Sequence, residues 1–196
     1  AVENIPSSGY KVYKVVEGRS EFTSPFTASE TSIENKFFKI DFAEDGSISS
    51  IFDKYNKKEL IIPKGRGNRF QMFEDVPGKY AAWDIVPTYK DKEFLIPAVE
   101  ETKIIENGSV RLVLSQKRNF YKSRIEQRIV IYRNLPKIDF ITDIDWTERD
   151  RLLKVGFPVG VNSMRAAYDI SYGYIERPTH ENTSWDAAKF EVSAHM

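Results

Sequence analysis

The sequence contains no cysteine, only two histidines and no excess of either charge. The lack of cysteine excludes disulfides, thiolate metal ligands and thiol nucleophiles. With 29 basic and 29 acidic side chains in 196 residues, the formal net charge is zero. Proteins that bind nucleic acids or anionic membranes usually carry a basic excess, and no apolar run approaches the roughly 18 residues that span a bilayer. The composition therefore predicts neither a nucleic-acid partner nor a membrane partner.

No signal peptide is visible at the N-terminus of the sequence. Residues 1–6 lack the basic region and apolar stretch of a signal peptide. Together with the absence of cysteine, this favours a cytoplasmic location. The chain starts without methionine and stops at Met196, directly after a strand-like stretch. We therefore expect a piece of a longer polypeptide in which residues 1–196 form a single β domain.

Apolar residues in the first half alternate with a period of two rather than 3.6. Phe38, Ile40 and Phe42 fall on one face of the run 36–42, with charged residues between them. The dipeptide Asp45-Gly46 and a second apolar run follow directly. This pattern predicts a β-hairpin whose glycine adopts a positive φ.

The second half repeats the alternating pattern. Asn107-Gly108 predicts another hairpin, and three strand-like runs follow at residues 125–133, 138–146 and 153–161. Pro158 within the last run indicates an edge strand or a bulge. No stretch of about 12 residues sustains a helical stripe, and residues 183–189 hold at most one turn. The fold class predicted from this pattern is all-β, an antiparallel β-sandwich.

Residues 62–97 differ from the rest because prolines, glycines and aromatic residues are concentrated there. This composition predicts a long ordered loop region, which is a common location of binding sites. Five basic residues follow further along the chain: Lys117, Arg118, Lys122, Arg124 and Arg128. Because the net charge is zero, we expect them to lie on a solvated strand face rather than in a nucleic-acid site.

No motif for nucleophilic, phosphate or metal chemistry is present. The sequence has no Gly-x-Ser-x-Gly elbow and no glycine-rich phosphate loop, and neither His180 nor His195 stands in a ligand-spaced motif. Aromatic residues in polar surroundings are the better indication, because sugars stack on aromatic rings while polar side chains bond their hydroxyls. Any single ring is still more often part of the core than of a pocket.

Four stretches, in order and covering nearly the whole chain, resemble the C-terminal β domain of the α-mannosidases of glycoside hydrolase family 38. They are residues 33–54, the Gly-Asn…Phe-x-Asp-x-Pro…Ala-Trp-Asp block at 67–85, the Trp-x-Glu…Leu-Leu-Lys-Val-x-Phe-Pro segment at 146–158, and the Arg-Pro-Thr…Asn-Thr-Ser-Trp-Asp…Phe-Glu block at 177–191. The resemblance implies part of a galactose-mutarotase-like super-sandwich.

The resemblance also implies what this chain does not contain. In this family the aspartate nucleophile and the zinc ligands lie in an N-terminal α/β catalytic domain, and none of their motifs occurs here. The implied function is that of a non-catalytic β domain in a retaining enzyme that hydrolyses terminal α-mannosides, with no catalytic residue, metal ligand or cofactor of its own. Zinc is implied only for the full-length enzyme, and the chain alone is expected to be inactive. Its expected partners are the α-mannoside and the N-terminal catalytic domain, and an exposed sheet edge could pair with a second copy.

Two polar loops are the candidate walls of a sugar site. The predicted substrate-binding residues are Tyr80, Trp83, Asp84, Arg177, His180 and Asn182, with Trp185 and Asp186 beside them. The alternative is that both tryptophans are core residues and the polar groups fasten loops or the interface with the catalytic domain. Two other functions stay open: a free-standing carbohydrate-binding module, and a mutarotase-like sugar epimerase. The latter needs an acid and a base, for which His180 and His195 are the candidates.

Overall fold

The computed structural model describes residues 5–18, 21–76, 78–80, 85–187 and 189. Within these residues the chain is almost entirely β, which confirms the predicted fold class. The one α-helix of this part is the single turn α1 (Ser184–Ala187), at the position where the sequence predicts at most one turn. A 3₁₀ helix spans Pro87–Asp91.

The first sheet has five antiparallel strands in sequence order. They are β1 (Thr27–Ala28), β2 (Ser32–Glu34), β3 (Phe38–Phe42), β4 (Ile48–Asp53) and β5 (Lys58–Glu59). The predicted hairpin is confirmed as β3–β4, with Gly46 at a φ of 81°. Ile40 and Phe42 are buried on the predicted face, while Lys39 on the opposite face is exposed. Alternation with a period of two thus decides which face of β3 is covered.

The second sheet has the order β11–β10–β9–β8, again with antiparallel neighbours. Its strands are β8 (Glu101–Asn107), β9 (Arg111–Phe120), β10 (Ser123–Tyr132) and β11 (Ile138–Asp145). The hairpin predicted at Asn107-Gly108 is confirmed as β8–β9, and its turn is closed by the Gly108 amide, which donates to Arg111 O at 3.0 Å.

These two sheets pack face to face as a sandwich. Their shared core cluster joins Ile33, Ile40 and Ile48 of the first sheet to Leu112, Leu114, Ile129 and Ile131 of the second. All seven side chains are completely shielded from solvent. Because burying an aliphatic side chain of this size contributes about 1.5–3 kcal/mol, this cluster is a main source of stability for the sandwich.

A third sheet corrects the prediction of a loop over residues 62–97. It has the order β12–β6–β7, with β6 (Arg69–Glu74), β7 (Glu93–Phe94) and β12 (Arg151–Gly156). Phe70 and Met72 of β6 are buried in a second cluster with Phe120 and Ile125. The strand was missed because glycine-rich and proline-rich segments surround it. The edge strand predicted from Pro158 is confirmed in part: β12 is an edge strand, but it ends at Gly156, before the proline.

The last strands form a separate hairpin, β13 (Arg165–Ile170) paired with β14 (Gly173–Pro178). Neither strand contributes a residue to the two core clusters of the described chain. The chain then turns through residues 179–183 into α1. This hairpin and the turn after it carry the candidate site.

Candidate functional site

A cleft of about 240 Å³ opens at the base of the β13–β14 hairpin. Tyr168 of β13 lines one side, and the chain that leaves β14 lines the other with His180, Glu181, Asp186 and Lys189. Polar and charged groups therefore converge on one small volume, as they do in sites that bind hydrogen-bonding ligands.

Local hydrogen bonds set the path of the chain around this cleft. The Thr179 hydroxyl donates to Ser163 O at 2.5 Å and its amide donates to Met164 O at 3.2 Å, which ties the end of β14 to the segment before β13. The Asp186 amide donates to the Thr183 hydroxyl oxygen at 3.1 Å, and that hydroxyl donates to Asp186 Oδ2 at 2.7 Å. This reciprocal pair resembles a capping box and begins the α1 turn at Thr183.

The centre of the cleft is an imidazole facing a carboxylate. His180 Nδ1 lies 3.6 Å from Asp186 Oδ2, an ion pair only when the imidazole is protonated. That nitrogen is shielded from solvent and has no hydrogen-bond partner. Lys189 Nζ lies 3.5 Å from Asp186 Oδ1. The Thr183 hydroxyl, aided by Lys189 and His180, holds the pKa of Asp186 below its ordinary value of 3.8, so Asp186 is an anion at neutral pH.

A second charged contact links the cleft to the 3₁₀ helix. Lys90 Nζ donates to Glu181 Oε1 at 3.1 Å, and this carboxylate raises the pKa of Lys90 above its usual value. Both side chains are well exposed, so the pair contributes little to stability. Its effect is positional, because it brings the segment 85–91 next to the cleft.

The predicted site residues do not all meet in this cleft. His180 lines it, and so does Asp186, whereas Arg177 and Asn182 lie on the same segment but are not among the lining residues. Tyr80 is 74% exposed and has a φ of 59°, and it does not line the cleft either. Trp83 and Asp84 lie outside the described residues. Trp185 is 80% exposed, so it is not a core residue in this structure.

Several groups that shape the cleft are not marked by the sequence motifs described above. Thr183 orients Asp186, Lys189 faces the same carboxylate, and Glu181 pairs with Lys90. One signal was available for the first of these, because Thr183-x-x-Asp186 has the spacing of a capping box. The Lys90–Glu181 contact joins residues 91 positions apart, and no local pattern encodes such a distance.

A second cavity, of about 300 Å³, lies beside a buried arginine. Arg118 was expected on a solvated face but is only 6% exposed. Its guanidinium donates to Pro97 O at 3.2 Å and to Asp45 O at 3.4 Å, and it lies 5.1 Å from the centre of the Phe70 ring. Burial lowers the pKa of Arg118, and the nearby Asp45 carboxylate opposes this shift. The other basic residues with resolved contacts pair with acids on the sheet surface, as expected for a solvated face.

The side chains that line the cleft can donate and accept hydrogen bonds. The cleft offers ammonium donors, carboxylate acceptors and one imidazole, a set suited to sugar hydroxyls. No three His, Asp or Glu side chains of this part are grouped so that they could hold a metal ion. The same residues include no helix capable of crossing a bilayer.

Comparisons with known proteins agree with this fold and assign it to a family. The model of the glycosyl hydrolases family 38 C-terminal domain matches residues 33–196. Human alpha-mannosidase 2C1 is 30% identical over the whole chain, and alpha-mannosidase G of Dictyostelium discoideum is 38% identical over 83% of it. The chain spans only 20% and 16% of those two proteins. An alpha-mannosidase structure from Enterococcus faecalis V583 superposes with a TM-score of 0.67 at 17% identity, covering 85% of this chain and 22% of that one, which shows a shared fold.

Proposed function

The chain belongs to glycosyl hydrolase family 38, as its C-terminal domain, and from this premise we propose that it is a non-catalytic part of a retaining α-mannosidase. The observation that carries the proposal is the family match over residues 33–196 in a chain about one fifth as long as its α-mannosidase relative. The whole protein then removes terminal α-linked mannose, and the catalytic groups lie in the part that precedes this domain.

In this proposal the chain braces the active site and contributes to carbohydrate binding. The cleft supports such a role because His180, Asp186 and Lys189 present donors and acceptors at the base of the β13–β14 hairpin. Arg177 and Asn182 flank the cleft along the chain, and Tyr80, Trp83 and Asp84 remain the candidates of the other loop. A role in mannose metabolism and a cytoplasmic location belong to the same proposal, the latter supported by the absence of cysteine.

Zinc does not fit the described part of this chain. Its preferred ligands are Cys, His, Asp and Glu in groups of three or four, and no such group is found among these residues. We therefore assign zinc to residues of the preceding catalytic domain, where it would help to hold the mannose.

The experiment that tests the proposal is an assay of aryl α-mannoside hydrolysis. The 196-residue chain with added zinc is compared with the full-length protein from the same gene. We expect activity only in the full-length protein. Turnover by the chain alone would mean that a nucleophile lies among these residues, and mutarotation of free sugars by the chain would favour an epimerase.

A pair of variants tests the role of the cleft in the full-length enzyme. His180→Ala removes the imidazole that faces Asp186, and we expect kcat/KM to fall about tenfold, equivalent to about 1.4 kcal/mol of lost transition-state stabilisation. Tyr172→Ala is the matched control, because this residue is fully exposed at the turn of the same hairpin. Equal kcat/KM values for the two variants would exclude His180 from the sugar site.

A further inference from the structure

The segment 10–16 has the composition of a strand but is not part of a strand in this structure. Its residues are tyrosine, valine and lysine, with no glycine or proline, and aromatic and β-branched residues favour strands. None of these residues belongs to a strand of the described chain. Tyr10, Val12 and Val15 are 85%, 82% and 96% exposed. Large apolar side chains grouped in this way on a surface mark an interaction site.

Both faces of the segment carry apolar groups. In an extended conformation Tyr10, Val12 and Val16 point to one side and Val15 to the other. A strand with one face in water would carry polar residues on that face throughout. The methylene chains of the two lysines can pack along the strand while their ammonium groups reach solvent. The segment therefore fits a strand that is covered on both faces.

The segment lies outside the buried part of the domain. Among the described residues, Phe26 is the first that is buried in the sandwich core. Just before it, the Ser24 hydroxyl contacts Asn107 Oδ1 at the end of β8. Residues 5–18, in contrast, are exposed throughout. The buried part of the described chain thus begins near Ser24, and the exposed residues 10–16 precede it.

The comparisons indicate where the missing partner lies. The match to the C-terminal domain starts at residue 33, so residues 10–16 precede it. The human relative nevertheless matches the whole chain, of which it is about five times the length. Residues 10–16 therefore correspond to a stretch of that α-mannosidase located before its C-terminal domain.

We propose that residues 10–16 form a strand that adds to the free edge of a β-sheet in the part of the same polypeptide that precedes this chain. Main-chain hydrogen bonds would supply the affinity of this β-augmentation, and the tyrosine and valine side chains would fill the layers on both sides. The added strand would join the preceding part of the protein to the sandwich and fix their relative position. The inference rests on the proposed function in one respect, namely that the full-length protein is a longer α-mannosidase.

Hydrogen–deuterium exchange of the full-length protein and of the 196-residue chain tests this inference. We expect the amides of residues 10–16 to exchange on the order of a hundredfold more slowly in the full-length protein. In the 196-residue chain they should exchange at the rate of an unstructured peptide at both low and high concentration. Protection in the dilute chain would mean that the strand pairs within this domain, and protection only at high concentration would mean pairing with a second copy. Either result, or rapid exchange in the full-length protein, overturns the proposal.

Two substitutions in the full-length protein separate strand pairing from general destabilisation. Val12→Pro removes a main-chain donor and should abolish protection across residues 10–16 while the amides of β9 and β10 stay protected. Val12→Thr keeps both the donor and the β-branched shape, so its exchange should match the unsubstituted protein. Because exchange is measured without substrate, protection in a protein inactive on α-mannosides would refute the proposed function and leave this inference standing.

Discussion

Asn68 offers the sharpest test of how this sandwich is held together. Its side chain is almost completely buried, and its φ is 51°. Asn68 Nδ2 donates to Gln127 Oε1 at 2.6 Å, and Gln127 Nε2 donates back to Asn68 Oδ1 at 3.3 Å. Gln127 Nε2 also donates to Thr142 Oγ1 at 2.9 Å. Asn68 therefore meets a conformational requirement and a hydrogen-bonding requirement at once.

Asn68→Ala should reduce the free energy of unfolding by about 2–4 kcal/mol. Leaving the buried amide oxygen of Gln127 without a donor costs about 1–3 kcal/mol. Placing alanine in the left-handed region adds about 1 kcal/mol, since asparagine tolerates this conformation better. Urea unfolding followed by tryptophan fluorescence measures the difference, because Trp146 packs on Phe120 at a ring separation of 5.8 Å.

Two further variants divide this loss into its parts. Asn68→Gly removes the side chain but keeps the freedom to adopt a positive φ. Its loss of unfolding free energy should therefore come mainly from the missing hydrogen bonds. Asn68→Ala/Gln127→Leu removes the unpaired amide as well and should recover part of the stability of Asn68→Ala. A change of less than about 0.5 kcal/mol for Asn68→Ala, the range typical of surface positions, would refute the reasoning.

Two other perturbations follow from local geometry. Gly46→Ala places a residue with a side chain at a φ of 81°, and its Cβ would lie 2.9 Å from Val99 Cγ2. The free energy of unfolding, measured in urea, should therefore fall by about 2 kcal/mol or more. Adding Val99→Ala should recover only the part of the lost stability that comes from the steric clash. Full recovery would contradict a cost of the positive φ. Thr183→Ala removes the hydroxyl that lowers the pKa of Asp186, so NMR titration should show this pKa rising toward 3.8. Since the folded-state pKa of Asp186 is depressed, its stabilising effect is present above the ordinary value and is lost as the pH falls through the folded-state value; an unchanged titration would exclude the hydroxyl as its cause.

The sandwich could be predicted from the sequence where two local signals agree. At β3–β4, alternating apolar residues and an Asp-Gly turn specify the same hairpin, and the structure forms it. At β6 the signals disagree. Phe70 and Met72 alternate, but Phe73 follows at once and is also buried, so the period of two is broken. That strand is covered on both faces by distant parts of the chain, and local patterns do not record this.

The prediction that Arg118 lies on a solvated strand face is wrong for a related reason. Arg118 lies on the inner face of β9, in the same row as Leu112, Leu114 and Gln116. Its burial is possible because the carbonyls of Pro97 and Asp45 and the ring of Phe70 meet it from other segments. From the sequence alone, a basic residue among other basic residues is predicted to be exposed, because its partners come from distant segments. The candidate site shows the same difference between local and distant contacts. His180 and Asp186 lie in one short segment and could be predicted together, whereas the contact of Lys90 with Glu181 could not.

The fold could be predicted from this sequence more completely than the site, and the distribution of buried residues explains the difference. The two core clusters draw on β2–β4, β6, β9 and β10, and no described residue of β13, β14 or α1 belongs to either. The cleft is thus built on the part of the described chain with the fewest buried apolar contacts, which is where local opening costs least. Segment 10–16 lies at the other extreme of the chain and shares this lack of cover. Both regions are therefore available for contact with other parts of a longer protein, as the proposed role of a supporting domain requires.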